Sequence, residues 1–276
     1  MTKNIKYMKK LVLVLVGVVL LSACSEYQKV YNGNDPDAKY KMAWKYYEAG
    51  KYSKADQLFS QIDRLYKRKP VYQRLLFAHA MSLYKMKYYV SAGEKFRKFT
   101  QLFPESTKAE EADYYIVLAY DALSPKYSVD QSYTVRAMEE IEGFLKRHPF
   151  SKYKDEVNGI YAKLQRKLEK KYYTIAKLYY DLDRYKSAIR AFNNYLIDYP
   201  GSAFKEDALF YRFKAAGDLA INSVESKKEK RLQTAKEYYQ NFIEKNKNPK
   251  YKEQADKLYE RITEEMNGYQ VDNNTK

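Results

Sequence analysis

Pro36, Pro70 and Pro104 stand 34 residues apart each time, in a chain that holds only seven prolines. A helix interior tolerates proline badly, because the ring removes an amide donor and collides with the preceding turn. Evenly spaced prolines therefore mark evenly spaced helix boundaries. The apolar residues between them repeat as well. Ala92, Phe96 and Phe99 lead up to Pro104; Ala137, Ile141 and Phe144 lead up to Pro149; Ala188, Phe192 and Tyr195 lead up to Pro200. Ala55, Phe59 and Ile62 repeat the pattern upstream, and Ala235, Tyr239 and Phe242 repeat it before Pro249. Steps of four and seven put each trio on one helix face. The small alanine lets a paired helix approach, and the large residues fill the space beneath. Ala43, Ala80 and Ala176 play the same part in the partner helices.

A 34-residue helix–turn–helix period resembles the tetratricopeptide repeat. The expectation is an all-α tetratricopeptide-repeat solenoid of five helix-turn-helix units. Units one to three fall within residues 37–155, and residues 156–266 hold a long linking helix with units four and five. Two units are stretched, between Leu123 and Ser132 and around Asn222 to Arg231. Longer loops leave such a stack intact because each repeat contacts mainly its neighbours. The polar residues 267–276 read as a disordered tail.

The N-terminus carries a second signal. Lys3, Lys6, Lys9 and Lys10 precede the apolar run Leu11 to Leu21, and Ser22 and Ala23 lead to Cys24, the only cysteine. Eleven apolar residues reach about 16 Å as a helix, roughly half of a hydrocarbon core of ~30 Å. The run is too short to span a bilayer, and a buried core helix would not explain four lysines without an acid. It reads as a signal peptide over residues 1–23, with translation starting at Met1 or Met8. The cleavage region resembles a lipobox, which implies acylation of Cys24 and a mature chain tethered through residues 24–36.

Net charge is +16 over the whole chain; without the leader's lysines, 47 basic residues face 35 acidic ones. The basic residues are interleaved with acids on helix faces, as in Lys227-Lys228-Glu229-Lys230-Arg231. An exported chain also does not meet the chromosome, so no nucleic-acid partner is expected. Attraction to anionic headgroups or acidic partners remains. Nothing in the sequence points to catalysis, a cofactor or a metal. His79 falls on a packing face, His148 in a repeat-end loop, and no zinc, phosphate-loop or nucleophile-elbow motif occurs. Glu110-Glu111 and Glu139-Glu140 are neighbours that point to different sides of a helix.

Tyrosine is abundant, 32 of 276 residues. First helices line the concave face of tetratricopeptide arrays, and the repeat register turns Tyr40, Trp44 and Tyr47, then Phe77, Met81 and Tyr84, then Tyr115 and Tyr120 inward. Tyr173, Lys177 and Tyr180 follow in unit four. An aromatic, partly basic face suits an extended peptide bearing aromatic and carboxylate groups.

The lipobox, the five units, the insert with Asp130-Gln131-Ser132, the run Phe144 to Tyr153, the long following helix and Tyr185 to Pro200 together resemble the BamD family of outer-membrane assembly lipoproteins. The resemblance implies a periplasm-facing, outer-membrane-anchored subunit of the machinery that folds β-barrel proteins. Its first three units would receive the C-terminal strand of unfolded outer-membrane proteins at Lys41, Trp44, Tyr47, Arg74, Tyr84 and Tyr120. Its last two would dock the β-barrel core subunit around Arg190 and Asn194. Ser25 is compatible with outer-membrane sorting by the family's rule. A tetratricopeptide lipoprotein that scaffolds cell-wall or envelope enzymes is the alternative reading, with a carbohydrate-capturing lipoprotein third.

Overall fold

Proline, serine and alanine punctuate the chain much as their chemistry demands. The computed structural model describes residues 26–246 and 248–274, so the expected signal peptide and Cys24 lie outside the described residues. The described elements are α1 (Pro36–Glu48), α2 (Tyr52–Tyr66), α3 (Tyr72–Lys85), α4 (Tyr89–Leu102), α5 (Ala109–Leu123) and α6 (Ser132–Arg147). They continue with α7 (Lys154–Asp181), α8 (Tyr185–Asp198), α9 (Lys205–Ile221), α10 (Glu225–Lys245) and α11 (Lys252–Asn274). No strand occurs among the described residues. The fold is an all-α tetratricopeptide-type solenoid, with first and second helices paired as α1/α2, α3/α4, α5/α6, α7/α8 and α9/α10.

Pro36 occupies the first turn of α1, and the Asp35 carboxylate accepts from the backbone N–H groups of Asp37 (2.9 Å) and Ala38 (3.2 Å). Capping of this kind satisfies donors that a helix start leaves open. Between units, a Pro-x-Ser triplet recurs. Ser106 accepts from Lys108 N–H at 3.1 Å, Ser151 from Tyr153 at 3.0 Å and Ser202 from Phe204 at 3.1 Å, each starting the turn into the next helix. Within units, the turn from first to second helix closes by a Schellman pattern, with Gly50, Lys87 and Asp183 at φ of 70°, 65° and 56°. Gly50 N–H bonds Tyr47 O (3.0 Å) and Lys51 N–H bonds Tyr46 O (2.8 Å); the same pair recurs from Lys87 to Tyr84 and Tyr88 to Leu83.

The packing trios are buried as the periodicity requires. Ala55, Phe59, Ile62, Ala92, Phe96, Phe99, Ala137, Ile141, Phe144, Ala188, Phe192, Tyr195, Ala235 and Phe242 are all buried, and only Tyr239 of the fifth trio is partly open. Two compact units divide the chain. The first holds the described residues to Ser124 and Ser132–Asn158; the second holds Pro125–Gln131 and the chain from Gly159 on. The insert 125–131 thus belongs with the second unit, where Gln131 closes it by donating to Lys126 O (2.9 Å) and Val129 O (3.0 Å), and Lys171 Nζ reaches Val129 O.

Three expectations are corrected. The stretch 24–36 is not a loose tether throughout, since residues 26–32 are helical. Tyr27, Val30 and Tyr31 share one face there, Tyr27 is buried, and its hydroxyl donates to Gln57 Oε1 at 2.7 Å. The polar segment 222–231 is an insert only as far as Val224; from Glu225 it forms the first turns of α10, its Lys and Glu residues being good helix formers. Of the segment 267–276, expected as a disordered tail, residues 267–274 continue the helix α11.

Candidate functional site

In the first unit, Trp44 and Tyr47 of α1 face Gln73, Arg74 and Phe77 of α3 across an open pocket of about 430 Å³, closed by Pro70, Phe99 and Lys108. The pocket exists because successive first helices lie side by side while Phe59, Phe96 and Phe99 beneath them are fully buried. The Arg74 guanidinium lies over the Trp44 ring, 4.0 Å from Cζ to the ring centroid. It is only loosely tied to Glu48, at 4.0 Å between two largely exposed side chains. Such a pair holds little energy, so the cation is free to meet a ligand. Lys108 Nζ stands 5.4 Å from the Phe77 ring and 2.6 Å from Glu111. The Trp44 indole N–H is shielded from solvent and has no acceptor.

The aromatic surface continues beyond the pocket. Tyr84 packs edge-on to Tyr115 (5.0 Å between centroids) and Tyr89 (5.5 Å), and Tyr115 stacks on Phe96 at 5.3 Å. Burial, with help from neighbouring tyrosines, pushes the phenol pKa of Tyr47 and Tyr84 up. Both are neutral at physiological pH and act as ring surface with a hydroxyl donor.

Of the six groove residues expected from the sequence, Trp44, Tyr47 and Arg74 line this pocket together. Tyr84 lies further along α3 in the aromatic cluster, and Lys41 is exposed on α1 outside the pocket lining. Tyr120 is a correction: it is only 5 % exposed, and its ring fills the space over Gly93, where a Cβ would stand 3.2 Å away. It holds α4 and α5 together and does not face a groove. Met81, also expected inward, is buried. Gln73, Phe77 and Lys108 complete the lining. Lys108 escaped the repeat register because it precedes α5, although its place four residues after Pro104 is the signal that could have found it.

In the second unit the corresponding inward residues already have partners. Tyr180 donates to Asp218 at 2.8 Å, Lys177 binds Asp181 at 2.7 Å, and Tyr173 stacks on Phe204 at 5.0 Å. The other surface of this unit is more open: Arg190 and Asn194 are exposed on α8, and Ile197, on the same helix, is 76 % exposed.

The remaining titratable clusters are structural in geometry. His79 is buried, with Nε2 at 2.9 Å from Asp56 and 3.3 Å from Ser60. A serine and a carboxylate on the same ring nitrogen do not form a nucleophilic triad. His148 is more than loop, because with Arg147 it grips the buried Asp113, each at 2.9 Å. Buried Glu140 is paired with Arg97 and Arg136, while Glu110 accepts from Ser151. Among the described residues no group of three His, Cys, Asp or Glu could hold a metal ion, and no helix is long and apolar enough to cross a membrane.

These features define a helical-repeat protein whose first unit carries an open pocket lined by aromatic and cationic side chains. The family model described as outer membrane lipoprotein, YfiO, matches residues 33–232, and the chain belongs to that family. Among solved structures it is similar to the TPR2AB-domain:pHSP90-complex of yeast Sti1, with 16% identity over 83% of this chain and 98% of that one and a TM-score of 0.39. A human IFIT1 dimer with PPP-AAAA is 16% identical over 85% of this chain and 57% of that one, with a TM-score of 0.29. No curated protein matches the chain.

Proposed function

We propose that this protein is the lipid-anchored, periplasm-facing scaffold subunit of the outer-membrane β-barrel assembly machinery. Its first unit receives the C-terminal strand of unfolded barrel proteins, and its second docks the barrel core subunit around Arg190 and Asn194. Membership of an outer membrane lipoprotein family supports the setting. The observation that carries the substrate role is the pocket in which Arg74 lies over Trp44, with only the exposed Glu48 at 4.0 Å as an acid partner. A terminal aromatic ring can stack in that space while the adjacent carboxylate meets Arg74 or Lys108, a charge-assisted contact of the stronger kind. No step of this role requires bond making or breaking, and the chain acts by holding partners rather than as an enzyme.

Affinity purification of the full chain is expected to recover a β-barrel partner, and depletion is expected to lower many outer-membrane porins together. Depletion that spares porins and alters only cell-wall cross-linking would favour a scaffold of envelope enzymes instead. For the pocket and the aromatic cluster beyond it, Trp44→Ala with Tyr84→Ala should weaken binding of a barrel C-terminal peptide at least tenfold without loss of helicity. Equal binding by the double variant would remove the pocket from the mechanism.

A further inference from the structure

Arg212 is a partly buried cation that has no carboxylate partner among the described residues. It rises from α9 between the two second helices α8 and α10 and is only partly exposed. Its Nη1 donates to Asn193 Oδ1 at 3.0 Å and its Nη2 to Asn241 Oδ1 at 2.7 Å. The guanidinium carbon lies over the Tyr238 ring, 4.2 Å from Cζ to the centroid, and Asn193 Nδ2 donates to the Tyr238 hydroxyl at 3.3 Å, which fixes the amide's orientation. The Nε–H is shielded from water and has no acceptor. Among the described residues no carboxylate pairs with it, whereas in the first unit buried Glu140 is paired with Arg97 and Arg136 and buried Asp113 with Arg147. Burial pulls its pKa down, with Tyr238 opposing, but an arginine stays charged at physiological pH.

Two neutral amides orient a guanidinium without neutralising it. A desolvated charge without a counter-ion is costly to a fold, and such a cost persists where it serves a site. Arg190 and Asn194 flank Asn193 on α8 and extend the polar surface outward from the same place. The chain's net charge of +16 also favours an acidic visitor.

We propose that Arg212, held by Asn193, Asn241 and Tyr238, is a preorganised receptor for a side-chain carboxylate on an acidic segment of a protein partner. The proposal deepens the docking role given to α8 but does not depend on which protein docks: co-purification of a barrel subunit can succeed while carboxylate binding at Arg212 fails, and the reverse.

The test uses the full chain, a labelled hexaglutamate peptide at 0.15 M salt, and fluorescence anisotropy. Arg212→Met is expected to weaken binding at least tenfold, while Arg68→Met, which removes one exposed charge in the first unit, changes it less than twofold. Asn241→Asp supplies an internal carboxylate at the same spot. It should raise the urea midpoint of unfolding and abolish peptide binding together, a pairing that a merely structural arginine would not produce. Equal loss in Arg212→Met and Arg68→Met, or intact peptide binding by Asn241→Asp, would overturn the proposal. So would a large fall in the urea midpoint of Arg212→Met, which would mark the arginine as a structural bolt. Inorganic phosphate at matched ionic strength should leave the peptide bound. Phosphate that displaces the peptide from the wild type and stabilises it, but not Arg212→Met, would identify a free-anion site and overturn the assignment to a protein carboxylate.

Discussion

Single side chains in this protein divide by whether their partners come from their own repeat or from a neighbour. Asp63 shows the second kind. From α2 it accepts from Tyr72 Oη of α3 (3.0 Å) and from Lys98 Nζ of α4 (3.1 Å), with Lys95 Nζ at 3.7 Å. Desolvation alone would raise its carboxyl pKa, but Lys95, Lys98 and the Tyr72 hydroxyl outweigh that and hold it below the usual carboxylate range. A folded-state pKa below the unfolded value of about 3.9 means stability that is complete above that pH and lost as pH falls through the lowered value. Asp63→Asn should therefore cost about 1–3 kcal/mol at pH 7. The gap to wild type in urea unfolding should be the same at pH 7 and 5 and should begin to narrow below pH 4; a gap that does not narrow as pH falls further would mean the cost is packing and not charge. The repeat register made Phe59, Phe96 and Phe99 legible as core and Trp44 as an inward residue. It could not reveal that Arg74 lies over Trp44 or that Tyr120 turns to Gly93, because a period names a face and the rotamer chooses the neighbour. Nor could it find Arg212, whose distinction is a carboxylate that is missing.

Helices were more legible than their joints. Alanine and aromatic spacing located the paired helices, yet Lys87 takes the left-handed turn that Gly50 takes without a residue type that announces it, while Asp183 is a type that tolerates it; the stacked neighbours outweigh the local cost. The segment 26–32 was hidden by its polar composition, since one buried tyrosine, hydrogen-bonded to Lys54 O and Gln57 of α2, and an ion pair from Glu26 to Lys45 suffice to dock two turns. Glycine reads differently again in two helices. Gly217 of α9 meets α11 so closely that a Cβ there would stand 3.0 Å from Leu258 Cδ2 and 3.1 Å from Ile262 Cδ1, whereas nothing lies within 4 Å of a Cβ on Gly159 in α7. Gly217→Leu should destabilise by about 1–3 kcal/mol through overpacking. Gly159→Ala should stabilise by about 0.5–1 kcal/mol, because only helix propensity changes. Urea midpoints moving in opposite directions would establish α11 as a close-packed cap on the last repeat. A stabilised Gly217→Leu would show that α11 can give way.

For the whole molecule, charge works at two distances. The excess of lysine and arginine is spread over helix faces and interleaved with acids, so its long-range field acts on an approaching partner rather than on one bound in a pocket. Arg74 over Trp44 acts only on contact. The two contributions should separate in the kinetics of a barrel C-terminal peptide with net negative charge. The Debye length falls from about 10 Å at 0.1 M salt to about 3 Å at 1 M, so raising salt should slow association severalfold and leave dissociation nearly unchanged. Amidating the peptide's C-terminus removes one carboxylate from the contact, and should speed dissociation by about tenfold, or ~1.4 kcal/mol, with a smaller effect on association. Arg74→Gln should reproduce the amidation effect for the free-acid peptide and add little for the amidated one, since each change removes one side of the same contact. Additive losses would place the peptide's carboxylate elsewhere on the concave face, with Lys108 the next residue to test.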